Sequence, residues 1–130
     1  MEYDDVNKAL AEKFPQLEID ETDRDLPYLV AGDFARFLLK AYQEGDMKTL
    51  TEGLGFIEDL HLSESHKTRE LATVGYLEGI QNNWEHNDVD PELVFEYLGA
   101  ESKRWWAELN KFWNGESRYI GESFENKVLT

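Results

Sequence analysis

LATVGYLEGIQNNW, residues 71–84, reads as a helix with almost no polar side. At about 100° per residue, Ala72, Gly75, Tyr76, Leu77, Gly79, Ile80 and Trp84 share one broad arc, and Val74 lies just beyond it. A helix that is apolar around most of its circumference sits inside a fold rather than on its edge. Gly75 and Gly79 fall on the same face because residues four apart stack one turn above the other. Each weakens a helix by about 1 kcal/mol relative to alanine. Close approach of a second helix across the bare backbone is the packing that offsets this loss.

The flanking segments read as helices able to surround that element. Tyr3, Val6, Leu10 and Phe14 recur at helical spacing until Pro15 stops them. Residues 17–25, LEIDETDRD, form an acidic connector rich in turn formers, expected as a solvated loop. Leu26-Pro27 opens a second helix. Its Val30, Phe34, Phe37, Leu38 and Ala41 make one stripe, and Asp33, Arg36, Lys40 and Gln43 make the opposite one. Gly45 ends it and Asp46 caps a third, so the two are expected to form an antiparallel hairpin. The third helix turns Leu50, Gly53, Leu54, Phe56, Ile57 and Leu60 inward. Ser63 and Ser65 are alternative caps for the central helix, which fades in Gln81-Asn82-Asn83 and ends before His86-Asn87-Asp88. Asp90-Pro91-Glu92 is a strong helix start. Leu93, Val94, Tyr97 and Leu98 give that helix its apolar side, and Gly99 closes it. Residues 101–114 put Trp105, Trp106, Leu109, Phe112 and Trp113 on one side, with Arg104 and Glu108 paired on the other. Residues 115–130 are weakly patterned and expected to pack loosely. No segment alternates with period two for long enough to demand a sheet. The expectation is a single all-α domain over residues 1–130. It would hold about six helices packed as antiparallel hairpins, resembling a short α-solenoid or helical bundle.

Composition narrows the function classes. A formal net charge of −15 argues against nonspecific attraction to nucleic acid or anionic membrane, since both need excess Lys and Arg. It favours a cationic ligand or a basic protein partner, or serves solubility alone. The chain has no cysteine, which removes disulfides, thiolate metal sites and cysteine nucleophiles. MEYDDVNKAL lacks the basic and apolar regions of a secretory signal. No apolar run approaches the roughly 20 residues that span a bilayer. The cytoplasm is the expected compartment.

Few residues offer chemistry. Glu58-Asp59-Leu60-His61 has the Glu-x-x-His spacing of carboxylate-bridged di-iron bundles, but His66 and His86 supply no second pair. His61 lies between Leu50 and Leu54 on the helix wheel and reads as a hydrogen-bonded, partly buried histidine. Glu78 falls beside Leu71 and Val74, where desolvation would raise its pKa, but no neighbouring base or nucleophile completes an active site. Gly53-Leu54-Gly55 lies mid-helix without the strand or Lys of a phosphate loop. Lys103-Arg104-Trp105-Trp106 mixes basic and aromatic residues, yet the wheel turns the tryptophans inward and the charges outward. Glu85, Asp88, Asp90 and Glu92 crowd one turn without the ligand series of a calcium loop. No catalytic residue, metal or cofactor is expected.

Phe14-Pro15-Gln16-Leu17, Leu26-Pro27-Tyr28, Gly32-Asp33-Phe34, Phe56-Ile57-Glu58, Gly75-Tyr76-Leu77-Glu78 and Tyr97-Leu98-Gly99 occur in this order. Ser102-Lys103, Trp106, Leu109, Phe112 and Trp113 continue the series. The series resembles a largely uncharacterised family of small acidic helical bacterial proteins of the toxin-immunity type. The resemblance implies an all-helical fold without enzyme activity and supplies no catalytic residues. Together with the acidic charge, it leads to the expectation of an immunity protein that occludes a cognate, basic toxin domain. The alternative is a helical adaptor or regulatory module that binds another protein in a groove. A third class, an enzyme or metal protein, would use Glu58, His61 or Glu78. For either binding role the expected partner surface is acidic. It would be built from Glu52, Glu58 and Asp59 on the third helix, Glu78 on the central helix, and Glu85 and Asp88 at the following turn.

Overall fold

A computed structural model describes residues 1–114; the tail 115–130, expected to pack loosely, lies outside the described residues. The described chain is all-α, with six α-helices and no strand. A 3-10 turn at Tyr3–Asp5 leads into α1 (Val6–Lys13). After the connector come α2 (Pro27–Gln43) and α3 (Met47–His61). Next, α4 (His66–Glu70), a π-helical stretch (Leu71–Leu77) and α5 (Glu78–His86) form one continuous run. A 3-10 helix (Pro91–Tyr97) and α6 (Ala100–Trp113) follow.

Local signals set most of these boundaries. Pro27 begins α2 at the position where its missing N–H costs nothing. Gly45, at φ 75°, adopts the left-handed conformation that ends α2, and the Asp46 N–H donates to the Ala41 carbonyl at 2.8 Å. The Asp46 carboxylate then accepts from the Thr49 N–H at 3.1 Å and starts α3. Residues 44–46 thus close the expected hairpin. Of the two serines, Ser65 caps α4 by accepting from Thr68 N–H, while Ser63 Oγ accepts from the Ser65 N–H.

The central run departs from regular helix at its middle. Residues 71–77 form a π-helix, whose i→i+5 bonding widens the turn. Leu71, Ala72, Thr73, Gly75, Tyr76 and Leu77 are all buried there. Thr73, absent from the apolar arc drawn at regular spacing, is therefore inside. The glycine face meets α2. A Cβ on Gly75 would lie 3.3 Å from the Ala31 Cβ, and one on Gly79 would lie 3.6 Å from the Ala35 Cβ. The Trp84 indole donates to the Ala35 carbonyl at 3.2 Å and locks the crossing. Rows of small residues on both helices bring the backbones together, as the glycine pair required. Around this contact Phe14, Phe34, Phe37, Phe56 and Tyr76 form an aromatic cluster, with Phe14 and Phe34 centroids 5.2 Å apart and Phe34 and Tyr76 5.8 Å apart.

The second half corrects several expectations. The run does not fade at residues 81–83: Gln81 is buried and α5 continues to His86. Asp90 does cap the next helix, accepting from the Glu92 N–H at 2.9 Å, but that helix is 3-10. Three residues per turn leave only a narrow inward ridge, so Val94 is buried while Leu93 and Phe95 on either side of it stay exposed; Tyr97, in line with Val94 at the helix end, is exposed too. Leu98 is buried just past the helix end. Gly99 does not close this helix; it is the extended residue that begins α6. In α6, Trp105, Trp106 and Leu109 face inward, but Trp113 is 52% exposed. Its indole N–H donates to Gln81 Oε1 at 3.0 Å, which holds the ring by its edge. Ion pairs on α6 run at three-residue spacing, Arg104 to Glu101 and Lys111 to Glu108, where the sequence offered Arg104 and Glu108.

Candidate functional site

Two places gather functional side chains: a polar knot inside the fold and an acidic groove on its surface. The knot begins on α3, where Glu58 and His61 share a face. Glu58 Oε1 accepts from the Ser102 N–H at 2.8 Å, and Oε2 accepts from the Glu101 N–H at 3.1 Å. A carboxylate on α3 thereby caps α6, whose own first residues carry no side-chain cap. Gly99 makes this possible, because a Cβ there would lie 2.7 Å from Glu58 Oε1. The His61 ring spans the next gap, with Nδ1 2.9 Å from Ser102 Oγ and Nε2 2.8 Å from Thr73 Oγ1.

Electrostatics follow from this geometry. Burial holds the His61 imidazole neutral and pushes its pKa down to about 4, against the pull of the Glu58 carboxylate and the Ile57 backbone. Burial by itself would raise the Glu58 carboxyl. The backbone N–H groups of Ser102 and Glu101, the Ser102 hydroxyl and nearby His61 outweigh it and hold Glu58 below its ordinary value. Serine, histidine and carboxylate are the components of a nucleophilic triad, but the wiring differs. The carboxylate bonds the serine and the helix end, and the second imidazole nitrogen is spent on Thr73. Ser102 and Thr73 are 0% exposed and His61 is 3% exposed, so no substrate reaches the hydroxyls in this conformation. The knot joins α3, the π-helical stretch and α6; it is built to hold, and a buried network with every member bonded specifies one packing.

The acids expected on a partner surface separate. Glu58 is engaged in the knot. Glu52 and Asp59 are exposed on α3. Glu78 is half-buried, and burial raises its carboxyl while a hydrogen bond with Asn82 opposes the shift. Glu85 and Asp88 stand at the end of α5 and line a groove of about 760 Å³ together with Gln81, Glu92, Asn110 and Trp113. Asp90 lines it as well. The groove thus unites Glu85 and Asp88 but includes none of Glu52, Glu58, Asp59 or Glu78. Its floor is pinned by side-chain bonds. Glu92 Oε1 accepts from the Trp106 indole at 2.9 Å and the Asn110 amide at 3.0 Å, and the Gln81 amide donates to Asn110 Oδ1 at 3.2 Å. The crowding of Glu85, Asp88, Asp90 and Glu92 is legible in the sequence, whereas Gln81 and Asn110, on different helices, carry no local signal for their meeting.

A second groove, of about 440 Å³, lies along α2 and the connector. There Arg36 and Lys40 face Glu18, Asp33, Glu44 and Asp46, so cations and anions are mixed. Burial raises the Asp33 carboxyl, the paired Arg36 opposes this, and neighbouring Asp23 adds to the rise. Among the described residues, no group of three or more metal-binding side chains converges, and no helix is long and apolar enough to cross a membrane.

Comparison with known proteins yields no match among curated proteins and none among solved structures. A family model matches residues 7–114, spanning both the knot and the groove, and the chain therefore belongs to DUF7674, a domain of unknown function.

Proposed function

We propose that this protein is a binding module that occludes a basic protein partner, and that it acts in the cytoplasm as an immunity protein against a cognate toxin domain. The observation that carries the reading is the surface at the α5–α6 end. Trp113 of α6 is half exposed and lines a groove walled by carboxylates, and Leu93, Phe95 and Tyr97 of the preceding 3-10 helix are exposed as well. Aromatic side chains presented at a surface are the residue types that anchor protein interfaces. The surrounding acids supply long-range attraction; steering of this kind raises association rates by about 10–1,000-fold and falls with salt. An enzymatic reading finds less support, because its best-equipped cluster, Glu58, His61 and Ser102, is sealed and bonded within the fold.

Co-expression with the product of the adjacent gene tests the proposal. The expected result is a stable complex and relief of that product's toxicity. A neighbour that is harmless and does not co-purify rejects the immunity reading. Capture of a non-toxic protein at the same surface instead supports the helical adaptor, which the groove between α5 and α6 accommodates equally well.

A further inference from the structure

We infer that the groove between α5, the 3-10 helix and α6 receives an arginine- or lysine-bearing segment of the partner, an assignment that rests on the proposed protein-binding role. The two grooves differ in charge balance. The one along α2 carries Arg36 and Lys40 among its acids. The described residues lining the α5–α6 groove include Glu85, Asp88, Asp90 and Glu92 but no Lys or Arg. Glu92 accepts from neutral N–H groups and Asp90 from a backbone N–H, and among the described residues no cation pairs with either. Val89 and Trp113 add apolar surface to the same lining. Because the Trp113 indole N–H is tied to Gln81, the ring is fixed while half of its surface stays open. A side chain with an aliphatic stem and a cationic head matches that combination: the stem lies on Val89 and Trp113, and the head lies among the carboxylates.

Asp88, which lines the groove, stands just past the end of α5. It has φ 61°, the described non-glycine residue in the left-handed region. The Val89 N–H donates back to the Trp84 carbonyl at 2.9 Å, the six-residue closure that ends a helix and normally places glycine where Asp88 stands. Glycine would suit the helix end better. A carboxylate there is projected into the groove at some expense to the fold.

The test uses the full chain and an acetylated hexa-arginine amide at low salt, followed by amide and indole NMR shifts. The largest shifts are expected at the Trp113 indole and the Gln81 and Asn110 side-chain amides. Glu85→Gln with Asp88→Asn should weaken binding about tenfold. A pair of equal charge change outside the groove, Asp4→Asn with Glu12→Gln, should weaken it by less than about twofold. Asp88→Gly should raise Tm by about 2–4 °C while weakening the peptide, a combination that a purely structural carboxylate would not produce. No binding, shifts gathered on another face, or equal losses in the two pairs of variants overturn the assignment. A native partner that co-purifies equally well with the Glu85→Gln/Asp88→Asn variant also removes the groove, but leaves the protein-binding role intact.

Discussion

Acid should weaken this fold through one residue, well above the pH at which carboxylates protonate. His61 is 3% exposed, bonded at both ring nitrogens, and has its pKa pushed down from 6.5 to about 4. Because the folded value is depressed, the unfolded chain takes up the proton first as pH falls. The stability is present above the unfolded value near 6.5 and is lost progressively down to about 4. Each pH unit in that window costs about 1.4 kcal/mol, so lowering the pH from 7 to 5 should remove about 2 kcal/mol. That is a large fraction of a typical domain's stability of roughly 5–15 kcal/mol. His61→Gln cannot titrate but retains an amide to meet Ser102 and Thr73. Urea unfolding at pH 7 and pH 5 should show the wild type losing about 2 kcal/mol more than the variant. The surface residues His66 and His86 are common to both proteins and drop out of the difference. Equal losses in the two proteins, or an NMR titration that protonates His61 above pH 6 in the folded state, would refute the account of the knot.

Other expectations follow from packing. Gly75→Leu should destabilise by about 1–3 kcal/mol, because even its Cβ would sit 2.8 Å from Leu71 Cδ1 and 3.3 Å from Ala31 Cβ. Gly79→Ala, with its nearest neighbours at 3.6 and 3.7 Å, should instead gain up to about 1 kcal/mol of helix propensity; thermal melts that rank the pair the other way contradict the close crossing on α2. Gly99→Ala should cost about 1–3 kcal/mol by driving the Glu58 carboxylate off the α6 N–H groups, visible as faster hydrogen exchange at Glu101 and Ser102. Tyr76→Phe should be neutral or up to about 1 kcal/mol stabilising, since the buried Tyr76 hydroxyl meets no hydrogen-bond partner among the described residues; a loss above that size in denaturant unfolding would mean that the hydroxyl is satisfied.

The division between sequence and structure is physical. Helix positions were legible because they depend on residues a few places apart: the Val30, Phe34 and Leu38 stripe, the Gly45-Asp46 punctuation, and the Asp90-Pro91 start all act locally. The glycine pair also spoke correctly, since bare backbone has little use except close approach. What required the tertiary structure was every feature that depends on a partner distant in sequence. His61 finds Thr73 and Ser102 on two other elements, and Glu58 leaves the acidic surface because the end of α6 arrives beside it. The π-helical turn brings Thr73 inside, against the regular spacing drawn from the sequence. The tight 3-10 turn leaves Leu93 outside, and the bond to Gln81 holds the exposed Trp113 by its edge. Of the six acids expected to form one face, only Glu85 and Asp88 share the groove. A helix wheel shows which way a side chain leaves its own axis, but a surface is made by the angles at which separate axes meet.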